Sequence, residues 1–312
     1  MPRIPDFFIV GAPKCGTTAL YSYLKDRPDV FMPELKEPHF FARDFAAYRQ
    51  IEERDAYLAL FAAAAPDAMV GEASVWYLFS EVAVADIMRA NPAARIIVML
   101  RNPVDMVHAL HAQLLHAPDE DVTDFEQAWR LQEVRAAGRH IPRHCREPRH
   151  LQYRTVGSFA AQIERLQRHV PKERALVLLY EDFARDPATA YVETLRFLGL
   201  RRDDRRSFER INAGRARRSR RLAAGVRDLV AVLGPAYEPA KRTLNALGLH
   251  PGRALVQWNS RRQERAPLSP GFRAELADAF RDDVARLETR LGRSLDVWRA
   301  AWTEDLDRAR VV

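Results

Sequence analysis

FFIVGAPKCGTTALYSYL, residues 7–24, changes character twice within a short span. Phe7, Phe8, Ile9 and Val10 form the apolar run of a buried strand. Gly11 to Gly16 is a turn of small residues, and from Thr17 the spacing of Ala19, Leu20, Tyr23 and Leu24 is helical. Strand, glycine-rich turn and helix together point backbone N–H groups and a helix N-terminus at a phosphate. The nucleotide-triphosphatase version of this layout, G-x-x-x-x-G-K-[ST], has its lysine directly after the second glycine. Here that position is Thr17, and the lysine is Lys14, inside the turn.

Outward from this stretch, three more runs read as buried strands: 69–73 (MVGEA), 95–100 (RIIVML) and 175–180 (ALVLLY). Helical patterns over 44–64, 80–90, 103–116, 124–136, 157–169 and 187–198 separate them. Strands alternating with helices predict an α/β fold with a doubly wound parallel sheet flanked by helices. Ligands of such sheets bind beyond the C-terminal strand ends. The conspicuous polar motifs, at 11–18, 72–77, 101–105 and 181–182, all follow a strand. Over 270–299, Phe272, Leu276, Phe280, Val284, Leu287, Leu291 and Trp298 keep helical spacing, which predicts a C-terminal helical extension packed on the domain. A single domain over 1–312 is expected, with 223–269 as a variable helical excursion over the ligand site.

The composition is that of a globular protein, 47% apolar and 29% charged. No 18-residue apolar run is present, so stable membrane insertion is not expected. The N-terminus lacks a basic segment followed by a long apolar stretch, so a secretory signal is not expected either. Two cysteines, Cys15 and Cys145, make neither a disulfide framework nor a metal site, and a cytoplasmic location is the expectation. No His or acid stands at a telling spacing from Cys15, which reads as a small residue in a tight loop. The net charge is +7, and residues 201–221 hold ten arginines against three acids. That run is either a solvated loop or an electropositive wall for a polyanion. No aromatic-interleaved pattern accompanies it, so nucleic acid is not the expected partner.

In the 11–18 turn, Lys14, Gly16, Thr17 and Thr18 offer one phosphate-sized group a cation, backbone N–H groups and two hydroxyls. GAPKCGTTAL (11–20) resembles the 5′-phosphosulfate loop of sulfotransferases that use 3′-phosphoadenosine-5′-phosphosulfate (PAPS). The resemblance implies a P-loop-type fold, Lys14 near the oxygen bridging sulfur and phosphorus, and residues Cys15 to Thr18 around the 5′-phosphate. It also implies a reaction without a metal, with 3′,5′-phosphoadenosine (PAP) as product. VMLRNPVDMVHAL (98–110) resembles the family's 3′-phosphate segment. Arg101 can bond a phosphate bidentately, and the helix that Pro103 opens adds N–H donors. The family's second 3′-phosphate contact, a serine, is replaced by Ala109, with His108 beside it.

LKEPHFF (35–41) resembles the Lys-Glu-x-x-Phe-Phe segment of the carbohydrate and bacterial branch, which implies Glu37 as the base. A base must stay ionised within reach of the attacking group. Pro33 and Pro38 bracket a rigid connection around Glu37. His39 is a competing base, and a surface pair of Glu37 with Lys36 or Arg43 is the bland alternative. GEASVWYL (71–78) resembles the family's Gly-Glu-x-Ser/Thr-x-x-Tyr stretch, with Glu72 as a second base or an orienting partner. Ala73 replaces the lysine of some relatives, and Trp76 and Tyr77 line an acceptor pocket or are core. NAGRARRSRRL (212–222) matches the basic cofactor loop, making Arg215, Arg217 and Arg218 candidates for the PAPS phosphates. LLYEDFARDPATAYVETLRFLGL (178–200) matches a family segment that reads as mainly structural, and ETRLGRSLDVW (288–298) resembles the family's usual C-terminal ending. The expected enzyme transfers a sulfuryl group to a hydroxyl or amine of a small-molecule or carbohydrate acceptor. Its rivals are a P-loop ATP-dependent kinase and a module binding nucleic acid or an anionic surface.

Overall fold

A computed structural model describes residues 3–209, 215–217, 260–262 and 266–302, the two three-residue segments by backbone alone. The chain divides into two compact units. The first comprises Met1–Leu110, Gln152–Ile211 and Leu268–Val312; the second comprises His111–Leu151 and Asn212–Pro267.

The first unit is built on five strands: β1 (Phe7–Gly11), β2 (Val30–Phe31), β3 (Met69–Ala73), β4 (Arg95–Leu100) and β5 (Ala175–Leu179). Their order is β2-β3-β1-β4-β5 and every pairing is parallel. All five residues of β1 are buried, as a central strand covered on both faces requires. The strands of this unit are connected through α1 (Thr17–Lys25), α2 (Arg54–Ala59), α3 (Ala83–Ala90), α4 (Pro103–His116), whose last turns belong to the second unit, and, after α5 (Phe125–Arg130) and α6 (Gln132–Ala136) of that second unit, α7 (Tyr153–Gly157) and α8 (Phe159–His169); α9 (Tyr180–Arg185) and α10 (Pro187–Leu198) follow β5. This is the α/β arrangement that the alternation predicts, of the P-loop type that the resemblance implies, and α11 (Pro270–Leu291) adds the C-terminal extension.

Register aligns the strand ends. Phe7 pairs with Gly71 on one side and Arg95 on the other, and Ile9 with Ala73 and Ile97. Between Ile9 and Gly11 the β1–β4 ladder shifts, so the chain leaves the sheet at Gly11. Gly11 has φ 146°, and a Cβ there would lie 2.6 Å from the Val75 carbonyl oxygen, so a side chain has no room.

The elements differ from the sequence expectation at four points. The 44–64 pattern folds only as a 3-10 turn at Ala46–Tyr48 and as α2. Between them the Gln50 amide donates to the Pro38 carbonyl (3.0 Å) and its side chain to the Glu37 carbonyl (2.7 Å), so tertiary partners replace helical ones. Strand β2 adds a short edge. Tyr180 opens α9 instead of ending β5. The 270–299 pattern breaks at Gly292, which caps α11 at φ 62°, and a separate helical segment covers 296–302. The 223–269 excursion lies outside the described residues except for 260–262 and 266–269.

In the second unit, Arg135 and Glu120, with fully buried side chains, pair through two hydrogen bonds of 2.6 and 2.7 Å. The Glu120 carboxylate also accepts the backbone N–H groups of Asp121 and Val122. Backbone strands β6 (Arg215–Arg217) and β7 (Ser260–Arg262) form an antiparallel ribbon.

The C-terminal segment fastens the start of α4. Glu181 accepts the Asn102 backbone N–H (2.9 Å) through one carboxylate oxygen and the Trp298 indole N–H (2.8 Å) through the other. The Asn102 side chain caps α4 by accepting from Val104 N, and it also accepts from the Trp302 indole. Trp298→Phe keeps an aromatic ring but deletes a hydrogen bond to a charged group, so a loss of about 1.5–3 kcal/mol is expected in urea unfolding. A variant as stable as the wild type would show that this tie is not structural.

Candidate active site

In the 11–16 loop, Lys14 (φ 62°) and Gly16 (φ 89°) both adopt left-handed backbone, and Gly16 is the N-cap of α1. Burial alternates along it: Cys15 and Thr17 are buried, while Lys14, Gly16 and Thr18 are partly exposed. A Cβ on Gly16 would come within 3.1 Å of the Tyr180 ring, so glycine is required here by both conformation and space. The Cys15 thiol donates to the Pro13 carbonyl at 3.3 Å, and burial pushes it far above the ordinary thiol range despite nearby Arg101 and Lys14. It is therefore no nucleophile at neutral pH, and its backbone is what it offers the loop.

Arg101 follows β4 directly. Its Nη1 donates to the Lys14 carbonyl (3.4 Å), and its guanidinium carbon lies 4.6 Å from the centre of the Tyr180 ring. Tyr180 thus touches both the loop and Arg101. Sequence reading treated it as structural; its signal was its place, immediately after β5, where the other strand-end motifs also lie.

The segment 73–78 joins the end of β1 to the Glu37 turn. Ser74 N donates to Ile9 O (3.1 Å) and Leu78 N to Val10 O (2.8 Å) on one side. On the other, Glu37 N donates to Ala73 O (3.0 Å) and His39 N to Ser74 Oγ (3.1 Å). Glu37 is 30% exposed, with Lys36 Nζ at 2.5 Å from one carboxylate oxygen and His39 Nε2 at 3.6 Å from the other. Desolvation alone would raise this carboxyl, but Lys36 and His39 together outweigh it and hold it well below the usual carboxylate range. Glu37 is ionised at neutral pH. His39 is only 2% exposed and sits behind it. Arg43 pairs with Asp86 instead of Glu37.

Glu72 is wholly buried and accepts three hydroxyls: Ser74 Oγ at 2.6 Å, Tyr57 OH at 2.9 Å and Tyr77 OH at 2.9 Å. Burial pushes its carboxyl up to about 7, against the pull of those three donors and Lys36. Trp76 and Tyr77 are 1% and 0% exposed, core residues and not an acceptor-lining pair. Ala109 is buried on α4, and His108 beside it is partly exposed.

A sulfotransferase domain matches residues 4–214. The chain belongs to the PAPS-dependent sulfotransferase family. It is 30% identical over 205 residues to bifunctional heparan sulfate N-deacetylase/N-sulfotransferase 3 of Homo sapiens, covering 64% of this chain and 22% of that protein. It is 29% identical over 249 residues to carbohydrate sulfotransferase 15 of Mus musculus, covering 63% and 44%. The chain thus spans less than half the length of either of these curated relatives. A solved structure of a sulfotransferase from Alicyclobacillus acidocaldarius superposes with TM-score 0.67 at 30% identity, covering 95% of this chain and 98% of that one.

Of the sulfotransferase arginine run, Arg205 pairs with Asp26 at 2.9 Å and lies 4.7 Å from the Tyr23 ring centre, which fastens 201–209 to α1. Arg215 and Arg217 lie in β6, their side chains undescribed, and Arg218 is outside the described residues. Among the described residues, no group of His, Cys, Asp and Glu could hold a metal ion, and no helix is long and apolar enough to cross a membrane.

The raised Glu72 carboxyl has a thermodynamic consequence. Between its ordinary value of 4.5 and about 7, the folded protein binds a proton that the unfolded chain has released. Stability present below that window is therefore lost as pH rises through it. Relative to Glu72→Gln, the wild type is expected to lose about 3 kcal/mol in urea unfolding between pH 4.5 and pH 7.5. A pH-independent difference would contradict the burial assignment.

Proposed function

We propose that this sulfotransferase moves a sulfuryl group from PAPS to a hydroxyl or amine of a carbohydrate or small-molecule acceptor, releasing PAP. The observation that carries the reading is the convergence of an in-turn lysine, Lys14, and a strand-end arginine, Arg101, tied to each other, with the ionised Glu37 turn held by the neighbouring strand end. A carbohydrate acceptor is favoured by the names of the two curated relatives.

The residues present fit a ligand with phosphates at two ends. Lys14, Gly16 and Thr18 are the partly exposed positions at the start of α1, and the N–H groups there suit the 5′-phosphate together with Thr17. Arg101 and the N–H groups at the start of α4 suit the 3′-phosphate. When bound, PAPS supplies the sulfuryl group and a phosphate leaving group. The Glu37 carboxylate takes the acceptor proton as the acceptor oxygen or nitrogen bonds to sulfur. The Lys14 ammonium stabilises the charge that develops on the leaving oxygen as the sulfur–oxygen bond breaks, so the leaving group has a cation without a metal. Positioning and fixed charge do the rest, as in phosphoryl transfer. Cys15 and Cys145 stand as free thiols, in keeping with a cytoplasmic setting.

The test is turnover with PAPS and a panel of glycans, following PAP release and acceptor mass. Lys14→Ala is expected to lower kcat on the order of 10²–10³-fold, and Glu37→Gln on the order of 10²–10⁴-fold. Near-normal turnover in Lys14→Ala, or transfer that uses ATP-Mg²⁺ in place of PAPS, would overturn the reading.

A further inference from the structure

The Glu37 turn is held in a conformation that its own sequence does not favour. Glu37 (φ 63°) and His39 (φ 52°) both occupy left-handed backbone, which side-chain-bearing residues avoid. Two such residues one apart persist only where the surroundings over-determine them. The surroundings here are specific. His39 N donates to Ser74 Oγ (3.1 Å), and Phe41 N donates to Tyr77 OH (3.3 Å).

A hydroxyl has a single hydrogen, so it accepts a backbone N–H reliably only if that hydrogen is committed elsewhere. Glu72 commits both. Its buried carboxyl takes the hydrogen of Ser74 Oγ at 2.6 Å on one oxygen and that of Tyr77 OH at 2.9 Å on the other. The lone pairs of both hydroxyl oxygens are thereby turned to the loop. The third donor, Tyr57 OH, reaches the same carboxylate at 2.9 Å, yet among the described residues it makes no hydrogen bond to the 36–41 backbone. Its ring stacks on Phe40 with centroids 4.2 Å apart, a contact independent of the hydroxyl. The charged group that acts on Glu72 is Lys36, which favours the ionised form; the titratable groups in contact with it are Tyr57 and Tyr77.

We infer that Glu72 is a positioning residue for sulfuryl transfer, acting through Ser74 and Tyr77 to hold the backbone of the Glu37 turn. The inference rests on the reading of Glu37 as the base. It assigns no proton transfer to Glu72, which is sealed from the acceptor. Glu72→Gln keeps the shape but puts an amide N–H₂ in place of one oxygen, so either Ser74, or Tyr57 and Tyr77 together, lose their acceptor and the donor pattern that faces the loop is broken.

The experiment compares Glu72→Gln, Ser74→Ala and Tyr77→Phe with Tyr57→Phe as the control that loses a bond to Glu72 but no bond to the loop. Hydrogen–deuterium exchange of the peptide covering 36–41 needs no substrate. The first three variants are expected to speed exchange at His39 and Phe41, and Tyr57→Phe to leave it unchanged. In turnover, the first three are expected to lower kcat at least tenfold with the KM for PAPS within twofold, and Tyr57→Phe to lower it less than threefold. Melting curves identify any variant that has unfolded; Ser74→Ala, which retains the carboxylate and both rings, carries the comparison if Glu72→Gln does not fold. Wild-type exchange in Ser74→Ala and Tyr77→Phe, or equal effects in Tyr57→Phe and Tyr77→Phe, would overturn the inference. A wild type that transfers no sulfuryl group would remove the function reading, and the exchange pattern would still decide whether the relay holds the loop. Active wild type, inactive Glu37→Gln and unimpaired relay variants would sink the positioning role alone.

Discussion

Three parallel strands held in register set what the rest of this molecule can do. Because Phe7 faces both Gly71 and Arg95, the loops after β1, β3 and β4 leave the sheet at one edge. The ladder shift before Gly11 then turns the first loop out of the sheet, while the backbone of 73–78 bonds the end of β1 on one side and the Glu37 turn on the other. Lys14 and Glu37, placed on separate flexible segments, would have to be ordered independently of each other. On one sheet edge, much of that ordering is built in by folding.

Three glutamates near this edge show how environment sorts one side chain into three roles. Glu37 lies between Lys36 and His39, which outweigh the effect of desolvation and keep it ionised. Glu72 has hydroxyl donors in contact and burial dominates, so its proton leaves only near neutrality. Glu181 spends both oxygens on N–H donors, the Asn102 backbone and the Trp298 indole, and so joins the Arg101 end of β4 to the C-terminal segment. Charge partners, solvent access and hydrogen-bond count separate these roles; residue type does not.

The strands were legible because a parallel strand buried on both faces is a continuous apolar run, as FFIV and RIIVML are. Strand β2 is two residues long and leaves no such run. The helix expected over 44–64 fails for a reason no local pattern carries: Gln50 finds its partners at residues 37 and 38. Lys14, Arg101 and Glu37 could be named because the short motifs that hold them resemble the family's, each beside its own strand end or turn. The part played by Glu72 could not, because its donors come from positions 57, 74 and 77 and its effect on the loop passes through two of them. Trp76 and Tyr77 illustrate the same limit, since an aromatic after a strand reads alike whether it lines a pocket or fills the core.

The central claim is that Lys14 and Arg101 build a site for a nucleotide with phosphates at both the 3′ and 5′ ends. Calorimetric titration of the protein with PAP in the presence of EDTA addresses it most directly. The expected result is saturable one-to-one binding that survives EDTA, weakens at least tenfold in Arg101→Ala, and is not matched by ATP. Absence of PAP binding, or binding of ATP that returns only with Mg²⁺, would contradict the account.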